Sequence, residues 1–270
     1  MKVLRAAARM IGTFRWSRDS RPYVQYLQEV ASDPAIVALR RRALAKLHLQ
    51  PRDHVVDLGC GPGTTVAAIA ERLGPDGAIH GVDLNPEMIS AARRVAAPRQ
   101  LGPRVRYQMD DITKLSFEDK QFDACYCERV FQHLPFDGPA RAAKEILRIL
   151  KPGGRFVVLD TDWLNTEIHI VGAVLGRLII DAWARHLPNP GAGQRLAAWI
   201  SSAGSIKVQI ESTDMRLLLG SPTTTLLTGA AQGALKGPEL AQWTASLAEA
   251  ERKQLTFGSV RVVMVSGVTP

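Results

Sequence analysis

The 270-residue chain reads as an α/β protein with a doubly wound, mostly parallel sheet. Three observations predict this. From Pro51 onward, apolar runs alternate with stretches of helical periodicity, the pattern of strands joined by crossover helices. The first apolar run, His54 to Leu58, ends in the glycine turn Gly59-Cys60-Gly61-Pro62-Gly63. A later helical stretch stops sharply at Lys151-Pro152-Gly153-Gly154.

Taken in order, residues 1–50 predict two or three basic helices forming a cap, and residues 51–270 a single domain. Strands are expected near 54–58, 78–83, 104–109, 122–127 and 155–160, with helices near 64–73, 86–97 and 138–150 between them. Thr64 opens the first of these helices, and Asn85 followed by Pro86 opens the second. Residues 162–203 read as a helical insert, a long apolar helix, a Pro/Gly break and a shorter helix, placed to roof the sheet's carboxyl edge. Residues 206–212 and 257–265 read as two more strands, joined by the helical segment 222–255.

Charge is concentrated at one end. Residues 1–52 hold eleven Lys or Arg against Asp19, Glu29 and Asp33, which accounts for the whole net charge of +8. Such a segment suits an anionic membrane surface, a nucleic acid or an acidic substrate, and equally a solvated helix face. No stretch approaches the roughly 18 apolar residues of a membrane span, and the first residues lack a secretory block. With three scattered cysteines there is no disulfide framework. Together these point to the cytoplasm.

The glycine turn carries the chemistry. Glycines reach positive φ and let a ligand approach bare backbone. Twenty residues after Gly63 the next apolar run ends in Asp83, where a carboxylate can accept from both hydroxyls of a ribose. A nicotinamide dinucleotide would use the same two features. Its G-x-G-x-x-G fingerprint, however, meets Thr64 at the last place, and Asp57 would have no duty toward a pyrophosphate. Asp57 suits a cationic amino acid group instead.

HVVDLGCGPGTT thus resembles the first motif of the class I S-adenosylmethionine-dependent methyltransferases. YQMDDITKLSFEDKQFD resembles the family's third signature, CYCERVFQHL its cofactor-facing fourth strand, and RILKPGGRFVVLD its helix, turn and fifth strand. Singly, each segment is also met by an ordinary strand end, helix cap or helix stop. The resemblance implies a seven-stranded sheet with its last strand antiparallel, and S-adenosyl-L-methionine as cofactor, leaving S-adenosyl-L-homocysteine as product. It implies cofactor contacts from Asp57, Gly59, Cys60, Gly61 and Gly63, from Asp83, Leu84 and Met88, from Asp110, Asp111 and Ile112 beside the adenine, and from Glu128 and Arg129.

Methyl transfer from a sulfonium is an in-line displacement, so the protein aligns the reactants in a dry site. An alcohol or phenol acceptor gains from a general base, for which His133, Asp162 and His169 are the candidates. Trp163, Trp183 and the aliphatic run 168–180 suit an apolar acceptor pocket as well as a plain core, and Tyr23 and Tyr26 suit a cover over the cofactor. No metal is expected: Cys60, Cys125 and Cys127 fit buried thiols better than a thiolate site, and Asp160, Asp162 and Asn165 lack an acidic partner loop. Cys127-Glu128-Arg129-Val130 lacks the signatures of nucleic-acid base methyltransferases, so no nucleic-acid partner is expected. The Trp-containing insert and PNPGAGQRLAAWISSAG look most like the ubiquinone, menaquinone and natural-product branch, which implies an apolar or aromatic small-molecule acceptor. A quinone-like lipid would give the basic N-terminus a membrane to dock on. The alternatives are a cofactor-binding cyclase without methyl transfer, and an RNA or protein methyltransferase using the basic segment.

Overall fold

The computed structural model describes residues 21–99 and 102–270. Seven strands form one sheet: β1 (His54–Leu58), β2 (Ala78–Asp83), β3 (Val105–Met109), β4 (Phe122–Glu128), β5 (Leu150–Ile168), β6 (Ile206–Leu218) and β7 (Thr256–Val268). Their spatial order is β3-β2-β1-β4-β5-β7-β6. Strands β1 to β5 are parallel neighbours, and β7 runs antiparallel between β5 and β6. The order reverses between β1 and β4, which opens a crevice at the carboxyl ends of those strands, where α/β sheets bind ligands.

Nine helices are described: α1 (Arg21–Ser32), α2 (Pro34–Lys46), α3 (Thr64–Ala70), α4 (Pro86–Ala96), α5 (Gly138–Ile149), α6 (Ala173–Ala184), α7 (Ala192–Ser202), α8 (Pro222–Ala234) and α9 (Gly237–Lys253). Local chemistry sets their ends. Asp33 caps α2 by accepting from the N–H groups of Ala35 and Ile36, and Asn85 caps α4 by accepting from that of Glu87. The helical segment expected over 222–255 is two helices, because Gly237 takes φ +49 and Pro238 follows it.

The core has two layers. On one face, Val55, Tyr126, Leu159 and Met264 pack with residues of α1, α2, α3, α6 and α8. On the other, Val56, Cys125, Val158 and Val265 pack with α5 and α7. Burial on both faces explains why the central strands are nearly all apolar.

The insert differs from expectation. Residues 162–168 continue β5 instead of starting a helix, pairing Glu167 with Ser259 and Ile168 with Gly258 across β7. Asn165 and Glu167 are exposed while Thr166 and Ile168 are buried, the two-residue period of a strand. The helix begins only after Gly172. Its two helices also separate: α6 packs on β5 and α8, whereas α7 packs on β5 and β7 from the opposite face, away from the roof. Among the described residues no helix is long and apolar enough to cross a membrane.

Candidate active site

The glycine turn begins where β1 ends. Gly59, Gly61 and Gly63 all adopt positive φ, between +51° and +78°. A Cβ on Gly59 would lie 2.2 Å from Cγ2 of Val130, so the bend after β4 is wedged against the turn. At Gly61 a Cβ would meet only the Leu27 side chain of α1, at 3.6 Å, so this peptide faces the crevice beneath α1. The Cys60 N–H bonds the Val82 carbonyl at 2.8 Å, tying the turn to the end of β2, and burial pushes its thiol well above the usual range.

Asp83 joins that turn directly. Its carboxylate accepts from the N–H of Gly61 at 2.9 Å and from that of Asn85 at 2.9 Å, so the two features expected to share a ligand lie at one end of the sheet. Burial raises its pKa. Asp57, at the end of β1, is 2% exposed, and its Oδ2 has no hydrogen-bond partner among the described residues. Burial and then the neighbouring Glu128 push it up to about 8, with Arg40 opposing and Asp83 reinforcing the shift. A buried carboxylate oxygen without a donor beside bare glycine backbone is the arrangement a cationic ligand completes.

The third group of expected contacts is split. Leu84 is half exposed and Asp111 exposed at the crevice rim, with Ile112 buried beneath. Asp110 is turned away: its Oδ2 accepts from the backbone and hydroxyl of Ser116 and from Gln108, and its Oδ1 from the N–H of Asp111. Through these four bonds it organises the loop. Met88 is likewise withdrawn, 2% exposed within the core. One Asp111 oxygen bonds Thr113, closing a small turn.

Glu128 is the centre of a buried ion cluster. Arg40 of α2 reaches it with two bonds, Nε to Oε2 at 2.6 Å and Nη2 to Oε1 at 3.1 Å. The Tyr126 hydroxyl donates to it at 2.8 Å, and Arg129 Nη2 lies 2.8 Å from Oε1. Burial opposes the charge, but Arg40 first and Arg129 next hold the carboxyl down at about 2. The expected role of Glu128 toward a cofactor is therefore replaced by a fastening one: it locks α2 onto β4.

The three candidate bases are scattered. His133 follows β4, and Gln132 fixes its protonation pattern. Trp163 Nε1, which can only donate, bonds Gln132 Oε1 at 2.7 Å, so the Gln132 amide nitrogen faces the Arg129 carbonyl and, at 3.3 Å, His133 Nε2. That nitrogen can only donate, so His133 Nε2 carries a lone pair and Nδ1 the proton. Burial, with Arg129 adding to it, lowers the His133 pKa to about 4. Asp162 points the other way, buried against α7, with Asn165 and Gln194 bonded to its two oxygens and Gly193 closed over it. His169 is half exposed beside Glu167. Its N–H bonds Phe257, six residues along β7 from Val263, the partner of Asp160, or about 20 Å away. Asp162 and His169 are thus excluded as bases on position.

Beside the crevice is a narrow cavity of about 40 Å³, walled by Tyr26 and Leu39 of the N-terminal helices, Leu159 and Trp163 of β5, and Met215 and Val262, with Arg129 also in its lining. Tyr26, in its wall, stacks with Tyr23 at 6.0 Å. The thiols do not converge: Cys60 belongs to one core layer, Cys125 and Cys127 to the other. Among the described residues no group of three or more His, Cys, Asp or Glu is placed to hold a metal ion.

Residues 55–154, from β1 to the start of β5, match a family model described as a methyltransferase domain. Over that span the chain is similar to methyltransferase domains. Its similarity to known proteins extends further in places. An uncharacterized 37.1 kDa protein in transposon TN4556 of Streptomyces fradiae is 33% identical over 186 residues, 67% of this chain and 51% of that protein. The demethylmenaquinone methyltransferase of Lactiplantibacillus plantarum is 34% identical over 122 residues, 45% of this chain and 51% of that enzyme. The chain spans about half the length of these curated relatives. Among solved structures, phosphoethanolamine N-methyltransferase 2 of Haemonchus contortus, in complex with S-adenosyl-L-methionine, superposes with a TM-score of 0.62 at 15% identity. The match covers 96% of this chain and 60% of that one, a likeness of fold.

Two parts of the site's surroundings escaped sequence reasoning. Arg40 sits in the run Arg40-Arg41-Arg42, which reads as one solvated basic face, and no local signal separates the buried member from its neighbours. Gln132 lies 31 positions from Trp163, and only the β4–β5 pairing brings them together.

Proposed function

We propose that the chain binds S-adenosyl-L-methionine in the crevice at the carboxyl ends of β1 and β4, beside the tip of β2, and methylates an apolar or aromatic small molecule in the adjoining cavity. The observation that carries this is Asp57 Oδ2, a buried acceptor without a donor among the described residues, beside the glycine turn and Asp83. Asp57 would hold the cofactor's ammonium group and Asp83 its ribose hydroxyls, with Leu84, Asp111 and Ile112 around the adenine. The cofactor, when bound, supplies a methyl group on a sulfonium. The chain's own residues orient the acceptor, exclude water and favour its reactive ionisation state.

The apolar lining from Leu39, Leu159, Trp163 and Val262 favours a quinone-like or natural-product acceptor, in keeping with the quinone methyltransferases among the relatives. At about 40 Å³ the cavity is smaller than the roughly 150 Å³ space that takes a benzene ring, so α1 and α2 shift when such an acceptor enters. Calorimetry tests the cofactor site: S-adenosylhomocysteine should bind wild type and lose affinity in Asp83→Ala. Equal affinity removes Asp83 from the site. The small-molecule reading is tested by product analysis with quinol acceptors, and absence of methylated product across them refutes it.

The same reading gives the basic N-terminus, whose first twenty residues lie outside the described ones, a docking role on anionic membrane where quinone-type lipids reside. Liposome co-sedimentation unchanged by removal of residues 1–20 would refute that role.

A further inference from the structure

Arg129 has more donors than partners. A guanidinium offers five N–H groups, and among the described residues the Arg129 side chain pairs only with Glu128. Glu128 is already heavily engaged: its two oxygens accept two bonds from Arg40 and one from Tyr126, and Arg129 Nη2 lies in ion-pair contact with Oε1 at 2.8 Å. Two guanidinium groups therefore share one carboxylate, and the cluster of Arg40, Arg129 and Glu128 keeps a net positive charge beside the cavity. Arg129 lines that cavity with only 20% of its side chain exposed, against Tyr26, Leu159 and Trp163.

Its backbone is held there at a cost. Arg129 adopts φ +56, a conformation a non-glycine residue takes only when its surroundings impose it. They do so from both sides: its N–H bonds the Leu159 carbonyl at 2.8 Å, and Val130 is wedged over Gly59. Among the described residues the other ionisable groups in its field form no ion pair or hydrogen bond with its side chain. Tyr23 and Tyr26 come from α1, His133 keeps its proton on Nδ1, and Asp160 accepts from the backbone of Thr161 and Gln132.

We propose that Arg129 is the oxyanion-binding residue of the acceptor cavity, and that the acceptor is a hydroxylated aromatic ring held there as its anion. This rests on the small-molecule methyltransferase reading above and narrows it. The hydroxyl O–H bond breaks heterolytically, the electron pair stays on oxygen facing the guanidinium, and the proton passes to water. No side-chain base is needed: Asp162 and His169 are out of place, and His133 Nε2 is engaged by Gln132.

The test uses para-nitrophenol, whose anion is coloured, and its neutral methyl ether as control, with the full chain loaded with S-adenosylhomocysteine. Wild type should move the phenol's ionisation midpoint down by about one to three pH units, as a guanidinium beside an acid does. Arg129→Lys should keep the direction of the shift. Arg129→Asn, which tolerates the left-handed backbone, should lose it while remaining folded by circular dichroism and still binding the methyl ether. No shift in wild type, or an undiminished shift in Arg129→Asn, overturns the proposal. Calorimetry with S-adenosylmethionine on the same preparations separates the two readings: missing cofactor binding sinks the methyltransferase activity, while the phenol titration still decides Arg129.

Discussion

Val130 occupies the space that a Cβ on Gly59 would need, its Cγ2 lying 2.2 Å from that position. The glycine turn after β1 and the bend that carries Arg129 are therefore one packed unit. Gly59→Ala should cost about 1–2 kcal/mol for a left-handed alanine, and about 1–3 kcal/mol more for the overlap. Thermal melting of Gly59→Ala alone and with Val130→Ala checks this. The double variant should recover the overlap part only, and a single variant as stable as wild type would show that the two loops are not wedged.

Asp83→Ala should weaken cofactor binding by roughly 1.5–3 kcal/mol, the worth of hydrogen bonds to a charged group, or about ten- to a hundredfold in Kd. It also frees the Gly61 N–H that Asp83 now accepts from. Calorimetry should place the loss in affinity with little change in melting temperature, because Asp83 is at the rim of the crevice rather than in its core.

Asp57 couples the site to pH. Its folded pKa of about 8 is above the ordinary value of 3.8, so between those limits the folded chain binds a proton that the unfolded chain releases. Asp57 thus contributes stability fully present below about pH 4 and lost as pH rises through about 8, with a slope of at most about 1.4 kcal/mol per pH unit. Asp57→Asn should flatten the stability profile over that window. A cationic ligand beside Asp57 favours the carboxylate, so cofactor binding near pH 7 should release a proton in wild type and none in Asp57→Asn. Calorimetry in buffers of different ionisation enthalpy reads this directly.

How much of this was legible in the sequence follows from the reach of each interaction. The glycine turn, the Asn85 cap and Asp83 are local, so twenty or so consecutive residues declare them. The Leu150–Ile168 strand was cut short because the apolar run after it, IVGAVLGRLII, has no clean period, and only β7 decides where β5 ends. Asp110 and Asp111 are adjacent and chemically alike; which one faces the crevice depends on Ser116, whose hydroxyl and N–H hold Asp110 inward. Arg40 and Glu128 are 88 positions apart, and nothing local marks either as buried.

That ion pair gives a stability prediction. Arg40→Met leaves Glu128 with Arg129 and Tyr126 but removes its two-pronged partner, and breaking a buried pair costs about 3–5 kcal/mol. Replacing both, as in Arg40→Met with Glu128→Leu, should cost less than the single change. Glu128 is depressed to about 2 from 4.5, so its contribution is present above about pH 4.5 and lost as pH falls through about 2. Acid denaturation should accordingly begin at higher pH in Arg40→Met, followed by circular dichroism.

His133 offers a spectroscopic reading of the same neighbourhood. Its folded pKa of about 4 is below the ordinary 6.5, so the unfolded chain takes up the proton first, and stability falls as pH drops from about 6.5 to about 4. In nitrogen NMR the ring should stay neutral through pH 5–8, with Nδ1 protonated and Nε2 bearing the lone pair. The Trp163 N–H orients Gln132, and Gln132 orients the imidazole, so Trp163→Phe should release the amide and mix the two tautomers without charging the ring. Gln132→Glu should go further, since a carboxylate accepts where the amide donated: the proton moves to Nε2 and the pKa rises. A wild-type spectrum with Nε2 protonated would break the chain from Trp163 to His133 and return the histidine to the set of candidate bases.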